Sequence, residues 1–182
     1  MEPMLSEMLE PDNEQNRIYY EEMLDQNPSN CPYFYSTINE SFDRRLMEDL
    51  DAILRRCRVG RWGTALELMA GCGRNMELLG RHFAEVEMLE RNKTMSAAIE
   101  RLSCSPSVIH QQDIRYFNWS EKVENYDCIV GIWCLSYLST KEITQLLQGI
   151  KMALKPDGFV ILFESVLQAS ESTARLHAVE AQ

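Results

Sequence analysis

No apolar run in this chain approaches the roughly 18 residues that a membrane-spanning helix needs, so no membrane partner is expected. Met1 to Glu10 is acidic and carries no basic patch, so no secretory signal is expected. Basic charge is scarce: 18 Lys and Arg stand against 28 Asp and Glu, a formal net charge of −10. A broad grip on phosphate backbone needs the opposite sign, so no extended nucleic-acid surface is expected. There are only 3 histidines, and none of the 6 cysteines (Cys31, Cys57, Cys72, Cys104, Cys128, Cys134) falls in a C-x-x-C pair. That leaves no ligand set for zinc. Cys128 and Cys134 sit in apolar patterns, and buried thiols in an intracellular, reducing compartment, cytoplasmic and/or nuclear, are the expectation. No internal repeat and no low-complexity tract is present.

What is present is one domain's worth of chain, 182 residues with 45% hydrophobic and 25% charged. Residues 1–36 read as an acidic arm and lid, with a short helix over 17–27, a turn around Pro28 and Pro32, and the aromatic run Tyr33, Phe34, Tyr35. Residues 37–182 read as the main domain. Thr37 with Glu40 forms a capping-box pattern, followed by Ile38, Phe42, Leu46, Leu50, Ile53 and Leu54 at helical steps, so a helix is predicted from Thr37 to about Arg58. Strands are predicted at Thr64–Met69, Val86–Glu90, Ser107–His110, Tyr126–Trp133 and Phe159–Glu164, with helices at Asn75–Phe83, Asn92–Leu102 and after the Ser139/Glu142 capping box. Lys155-Pro156-Asp157-Gly158 reads as a turn. Alternating strands and helices give a doubly wound, mostly parallel Rossmann-like α/β sheet.

Chemistry concentrates where three of those strands end. Glu67-Leu68-Met69-Ala70-Gly71-Cys72-Gly73 runs from a strand through a glycine turn into a helix. Ligands of open α/β sheets sit at such carboxyl ends, and Gly71 and Gly73 let the backbone come close to one. Glu90 ends the second strand, 23 positions after Glu67, where a carboxylate can accept both hydroxyls of a ribose. Asp113 follows the third strand; it can accept from an adenine amino group with Ile114 packed on the base, or simply cap a helix. The three together are far more specific than any one.

With those residues in place, the chain resembles the class I S-adenosylmethionine-dependent methyltransferases over roughly residues 60–165. Glu67 to Gly73 is similar to motif I, (D/E)-x-G-x-G-x-G, with Met69 where the first glycine is usual. Leu154-Lys155-Pro156-Asp157-Gly158 is similar to the L-x-P-G-G turn before strand five. The resemblance implies S-adenosyl-L-methionine as cofactor, held by Glu67, Met69, Gly71, Gly73, Arg74, Glu90, Arg91, Asp113, Ile114 and Ile132. More narrowly, Tyr126 to Leu138 resembles the strand-four region of the protein α-N-terminal methyltransferases, which act on X-Pro-Lys/Arg N-termini. That resemblance implies Arg74 on the cofactor carboxylate, Trp133 stacking on the substrate proline, and Tyr35 within a lid. Tyr137 stands where that family has a catalytic histidine, and Ser165 where an asparagine holds the amine, with Glu164 beside it.

An α-amine with a pKa near 7.7–8 must lose its proton before it can attack a methyl group. Histidine titrates in that range and an ordinary tyrosine does not. Tyr137 is therefore expected to orient, and Glu164 to serve as a substitute base if burial raises its pKa. The family's helix and antiparallel strand pair after strand five are expected to be missing, because residues 166–182 suffice for one short helix at most. An open strand-five edge invites a dimer mate or partner chain. Three functions stay open: a methyltransferase on a protein N-terminus, one on a small amine or other acceptor, and a catalytically inactive interaction subunit. A dinucleotide oxidoreductase is a distant fourth, since Met76 breaks the G-x-G-x-x-G spacing.

Overall fold

A computed structural model of the chain describes residues 33–57, 62–164 and 175–179. Its strands are β1 (Trp62–Leu68), β2 (Phe83–Leu89), β3 (Val108–His110), β4 (Tyr126–Ile132), β5 (Leu154–Glu164) and β6 (Arg175–Val179). The helices are α1 (Tyr33–Cys57), α2 (Met76–His82), α3 (Lys93–Ile99) and α4 (Thr140–Ala153). The strands form one sheet in the order β3-β2-β1-β4-β5-β6. The first five run parallel and β6 is antiparallel to β5. The chain winds outward from β1 to β3, then returns to place β4 on the other side of β1, so the topological switch lies between β1 and β4.

Both faces of the sheet are covered, which is why β1 and β4 are apolar almost throughout. One core joins Leu50 and Leu54 of α1 and Met76, Leu78 and Leu79 of the α2 region to Ala65, Phe83, Val86 and Val130 of the sheet. The other joins Leu146, Ile150 and Ala153 of α4 to Leu66, Leu68, Leu89 and Ile129. Cys128 and Cys134 are buried as expected, whereas Cys57, at the end of α1, is exposed.

Several boundaries differ from the sequence reading. Helix α1 is already helical at Tyr33, one residue past Pro32, so Thr37 and Glu40 lie inside the helix instead of capping it. Phe83 leaves α2 and opens β2, because its ring packs edge-on against Trp62 of β1 with centroids 5.3 Å apart. The Lys155–Gly158 segment is not a free turn but an irregularity within β5. Tyr126 pairs with Leu154 and Cys128 with Phe159, so two steps on β4 face five on β5 and three residues loop out. Gly158 is required there, since a Cβ would meet the Tyr126 carbonyl oxygen at 2.9 Å. Lys155 anchors the bulge on Asp127 at 2.7 Å, and the same carboxylate oxygen accepts the Thr64 N–H of β1.

The C-terminal tail also departs from expectation. Instead of one short helix it supplies β6, paired with β5 from Val160↔Val179 to Glu164↔Arg175. The unpaired N–H and C=O groups along the β5 edge offer more hydrogen bonds to an extended segment than a helix would gain by itself. The readings made for residues 1–32, the arm, the short helix and most of the lid, lie outside the described residues.

One buried polar cluster lies away from the switch point. The Glu87 Oε2 of β2 accepts from His110 Nε2 at 2.7 Å, Tyr126 Oη at 2.7 Å and Lys122 Nζ at 2.9 Å.

Candidate cofactor site

The glycine turn after β1 is held by backbone geometry. Met69, Gly71 and Gly73 all lie at positive φ, 48°, 58° and 78°. Ala70 donates its N–H to the Leu89 carbonyl of β2, and Gly73 donates to that of Ala70. The two glycines do different work. A Cβ at Gly73 would strike Leu102 at 2.7 Å and Ile99 at 3.1 Å, so this glycine packs the turn against α3. A Cβ at Gly71 would meet only the Met95 sulfur, at 3.9 Å, so its outer side is open to an approaching group.

Glu90, the residue after β2, straps the turn in place. It is 6% exposed; Oε2 accepts the Gly71 N–H and Oε1 the Asn92 N–H, each at 2.8 Å. Burial pushes its pKa up, more than those amides pull it down. The Arg91 backbone amide also pulls it down, and of the carboxylate's about four acceptor positions one is left for a ligand. Glu67, at the end of β1, is 3% exposed and accepts from Asn75 Nδ2 on Oε1. Its Oε2 and the Asn75 Oδ1 are buried with no hydrogen-bond partner among the described residues. Burial lifts the Glu67 pKa to about 7.

Asp113 caps the short 3-10 turn Ile114–Tyr116 and accepts the Arg115 N–H. Burial raises its pKa, and the hydrogen bonds from Arg115 outweigh that and leave it lowered. An open cavity brings together Met69, Glu90, Arg91, Asp113, Ile114 and Tyr137. Arg115 also lines it and was missed from the sequence; the Asp-x-Arg spacing across a 3-10 turn is the signal that could have revealed it. Glu67, Gly71, Gly73, Arg74 and Ile132 do not line this cavity. Glu67 lies one residue before the end of β1, the glycines belong to the turn that follows it, and Ile132 closes β4.

Beyond β4 the chain turns sharply. Trp133 takes φ 54° and donates its N–H to the Phe163 carbonyl at 2.8 Å. The Arg74 guanidinium stands 5.2 Å from the centre of the Trp133 ring, a cation–π contact. The residue expected on the cofactor carboxylate thus meets the one expected on the acceptor. Glu164, at the end of β5, accepts the Leu135 N–H at 2.7 Å and so braces this turn. Burial raises the Glu164 pKa, opposed by the amides of Leu135, Cys134 and Ser136. Tyr137 is 42% exposed. Ser165 lies outside the described residues, as does the Tyr35 side chain, though Tyr35 itself sits in α1.

A group carrying vicinal hydroxyls, an amino-bearing base and an ammonium suits these residues. The orphaned acceptors of Glu67 and Asn75 lack a donor, Glu90 and Asp113 present carboxylates to one cavity, and Gly71 leaves an open flank. Among the described residues no cluster of His, Cys, Asp or Glu is placed to hold a metal, and no helix is long and apolar enough to cross a membrane.

Met69 carries a testable cost. A side chain at φ 48° strains the backbone by roughly 1 kcal/mol relative to glycine. Met69→Gly is expected to be more stable than Met69→Ala by about that amount in urea unfolding, although the two lose nearly the same packing. Equal stabilities would remove strain from the account.

Residues 38–176 match the family described as AdoMet-dependent proline di-methyltransferase. None of the curated proteins matches the sequence. Among solved structures, a SAM-dependent methyltransferase from Leishmania major is 22% identical with a TM-score of 0.57, over 65% of this chain and 50% of that one. A phosphoethanolamine N-methyltransferase from Haemonchus contortus, bound to phosphoethanolamine and S-adenosylhomocysteine, is 20% identical with a TM-score of 0.67, over 91% of this chain and 36% of that one. A protein of Pyrococcus horikoshii OT3 is 26% identical with a TM-score of 0.58, over 72% and 58%. The chain thus spans half the length of the first of these structures and about a third of the second.

Proposed function

Because the chain belongs to the AdoMet-dependent proline di-methyltransferase family, we propose that it methylates the α-amine of protein N-termini of the X-Pro-Lys/Arg type. The observation that carries this reading is the placement of Trp133. It stands just past the carboxyl end of β4, on the switch point, against Arg74 of the glycine turn.

S-adenosylmethionine supplies a sulfonium-activated methyl group. In this reading Glu90 holds the ribose hydroxyls, Asp113 and Ile114 hold the base, and Glu67 with Arg74 receives the charged amino-acid end. Trp133 presents a flat apolar face on which a proline ring can stack. Tyr137 lines the cavity and can donate a hydrogen bond that orients the acceptor amine. The amine must arrive unprotonated or lose its proton in the site. Glu164 is bonded to the Trp133 turn through the Leu135 N–H, and its raised pKa brings it toward the range of the amine. A cytoplasmic or nuclear site of action goes with this acceptor.

Peptides beginning Ala-Pro-Lys and Ser-Pro-Lys, incubated with the cofactor and followed by mass spectrometry, are expected to gain methyl groups. Trp133→Ala should lower kcat/KM for the peptide by roughly tenfold, the worth of a lost aromatic contact, with cofactor affinity little changed. Tight cofactor binding with no methylation of such peptides would sink the acceptor assignment. One observation favours the alternative of a non-catalytic subunit: Glu164 spends an oxygen on the Leu135 N–H.

A further inference from the structure

Asp113 is held by a neighbour that the motif does not contain. Its Oδ1 accepts two N–H groups of Arg115, the backbone at 3.0 Å and Nε at 2.9 Å. Its Oδ2 accepts Arg115 Nη2 at 2.5 Å. Arg91 Nη1 stands 3.7 Å from the same oxygen, an ion pair beyond hydrogen-bond reach. A carboxylate has about four acceptor positions. Arg115 fills three of them, so the last lies on Oδ2, on a side chain that lines the cavity.

Arg115 is itself held from the other side. Its Nη1 lies 3.7 Å from Glu142 Oε1, in the first turn of α4, where Glu142 and Ser139 close a capping box. The hydrogen bond to Asp113 drives its pKa further up, so the guanidinium stays charged. Arg115, Ile114 and Leu138 also line a second cavity, bounded by Trp119, Gln145 and Leu146. Arg115 therefore borders both cavities.

We propose that Arg115 is the positioning residue of the cofactor pocket, fixing the Asp113 carboxylate so that it offers a single acceptor to the amino group of the cofactor's base. This rests on the cofactor reading above. Its chemical consequence is selectivity. A carboxylate that cannot rotate rewards a 6-amino purine and repels a 6-oxo purine, because the latter sets acceptor against acceptor. A carboxylate released from its fork can turn away or meet the base through water, and discriminates less. Lysine keeps the charge but lacks the planar pair of N–H groups, so it cannot take over the role.

The test is calorimetric titration of the full chain with S-adenosylhomocysteine and with S-inosylhomocysteine, its 6-oxo counterpart. The unmodified chain is expected to prefer the adenosyl ligand by roughly tenfold or more. Asp113→Ala should abolish the preference. Arg115→Ala and Arg115→Lys should each cut it to within about threefold, while affinity for the inosyl ligand stays near its starting value. That retained affinity shows that the pocket is still folded, and circular dichroism checks the rest of the chain. Preference that survives Arg115→Ala, with Asp113→Ala abolishing it, would overturn the role of Arg115 alone. Equal loss of both ligands in Arg115→Ala would make the residue a structural prop and overturn the proposal. An unmodified chain that binds neither ligand would overturn the cofactor reading, and this proposal with it.

Discussion

Glu90→Ala is expected to weaken S-adenosylmethionine binding by roughly ten- to a hundredfold. Two effects add. The ribose hydroxyls lose a charged acceptor, worth about 1.5–3 kcal/mol. The Gly71 N–H loses the acceptor that ties the glycine turn to β2. Stability should fall by less than affinity, since the buried carboxyl also carries a desolvation cost that its removal relieves. Glu90→Gln separates the two effects: its amide oxygen can still accept one of the two backbone N–H groups, but it has no charge to offer the hydroxyls. Calorimetric titration of both variants decides it, and an unchanged dissociation constant in Glu90→Ala would remove this residue from the site.

The largest effect on stability is expected at Glu87. Its carboxylate is nearly buried and receives His110, Tyr126 and Lys122 on one oxygen. Glu87→Ala strands a lysine charge and a buried phenol, and removal of one partner from a buried charged pair costs about 3–5 kcal/mol. The pH dependence follows with a definite sign. Burial raises the Glu87 pKa, but the three donors win and hold it at about 2. A folded-state pKa below the unfolded one gives stability that is present above about pH 4.5 and is lost as pH falls toward 2. By the same linkage this group contributes about 3 kcal/mol at neutral pH.

Glu67 has the opposite sign. Its folded-state pKa is raised to about 7, so its contribution is complete below about pH 4.5 and disappears as pH rises through 7. The ligand-free chain should therefore melt higher at pH 5 than at pH 7.5, and lower again below pH 4. Glu67→Gln should flatten the upper limb. Glu87→Gln should reduce the acid limb without abolishing it, because Asp113 and Glu142 also have lowered pKa values. Thermal unfolding across that range checks both limbs; an acid limb unchanged in Glu87→Gln would show that the cluster holds no such energy.

Much of this architecture is legible in the chain because the signals are local. The apolar runs at β4 and β5 reflect coverage on both faces, and Ser139 with Glu142 marks the start of α4 through a contact three residues long. The spacing from Glu67 through the glycines to Glu90 survives in the sequence because each residue sits at the end of its own strand. What failed depended on distant partners. Phe83 reads as the end of a helix until Trp62 is placed beside it. Lys155–Gly158 reads as a turn until Asp127 of the neighbouring strand captures Lys155. The tail has too few residues to pack a helix and strand pair, yet the edge of β5 makes a strand of five of them.

The same division runs through the site. The residue types at the strand ends, the glycine turn and the alternation of strands and helices were determined by the sequence by itself, since each follows from the chain's local periodicity and from short-range turn chemistry. Only the tertiary structure decided how those groups share their hydrogen bonds. Glu90 is spent partly on Gly71, Glu164 on Leu135, and Asp113 on Arg115, while Glu67 keeps a buried oxygen without a partner. A carboxylate's role depends on which lone pairs remain once its neighbours are satisfied, and those neighbours come from strands that meet only when the sheet has formed.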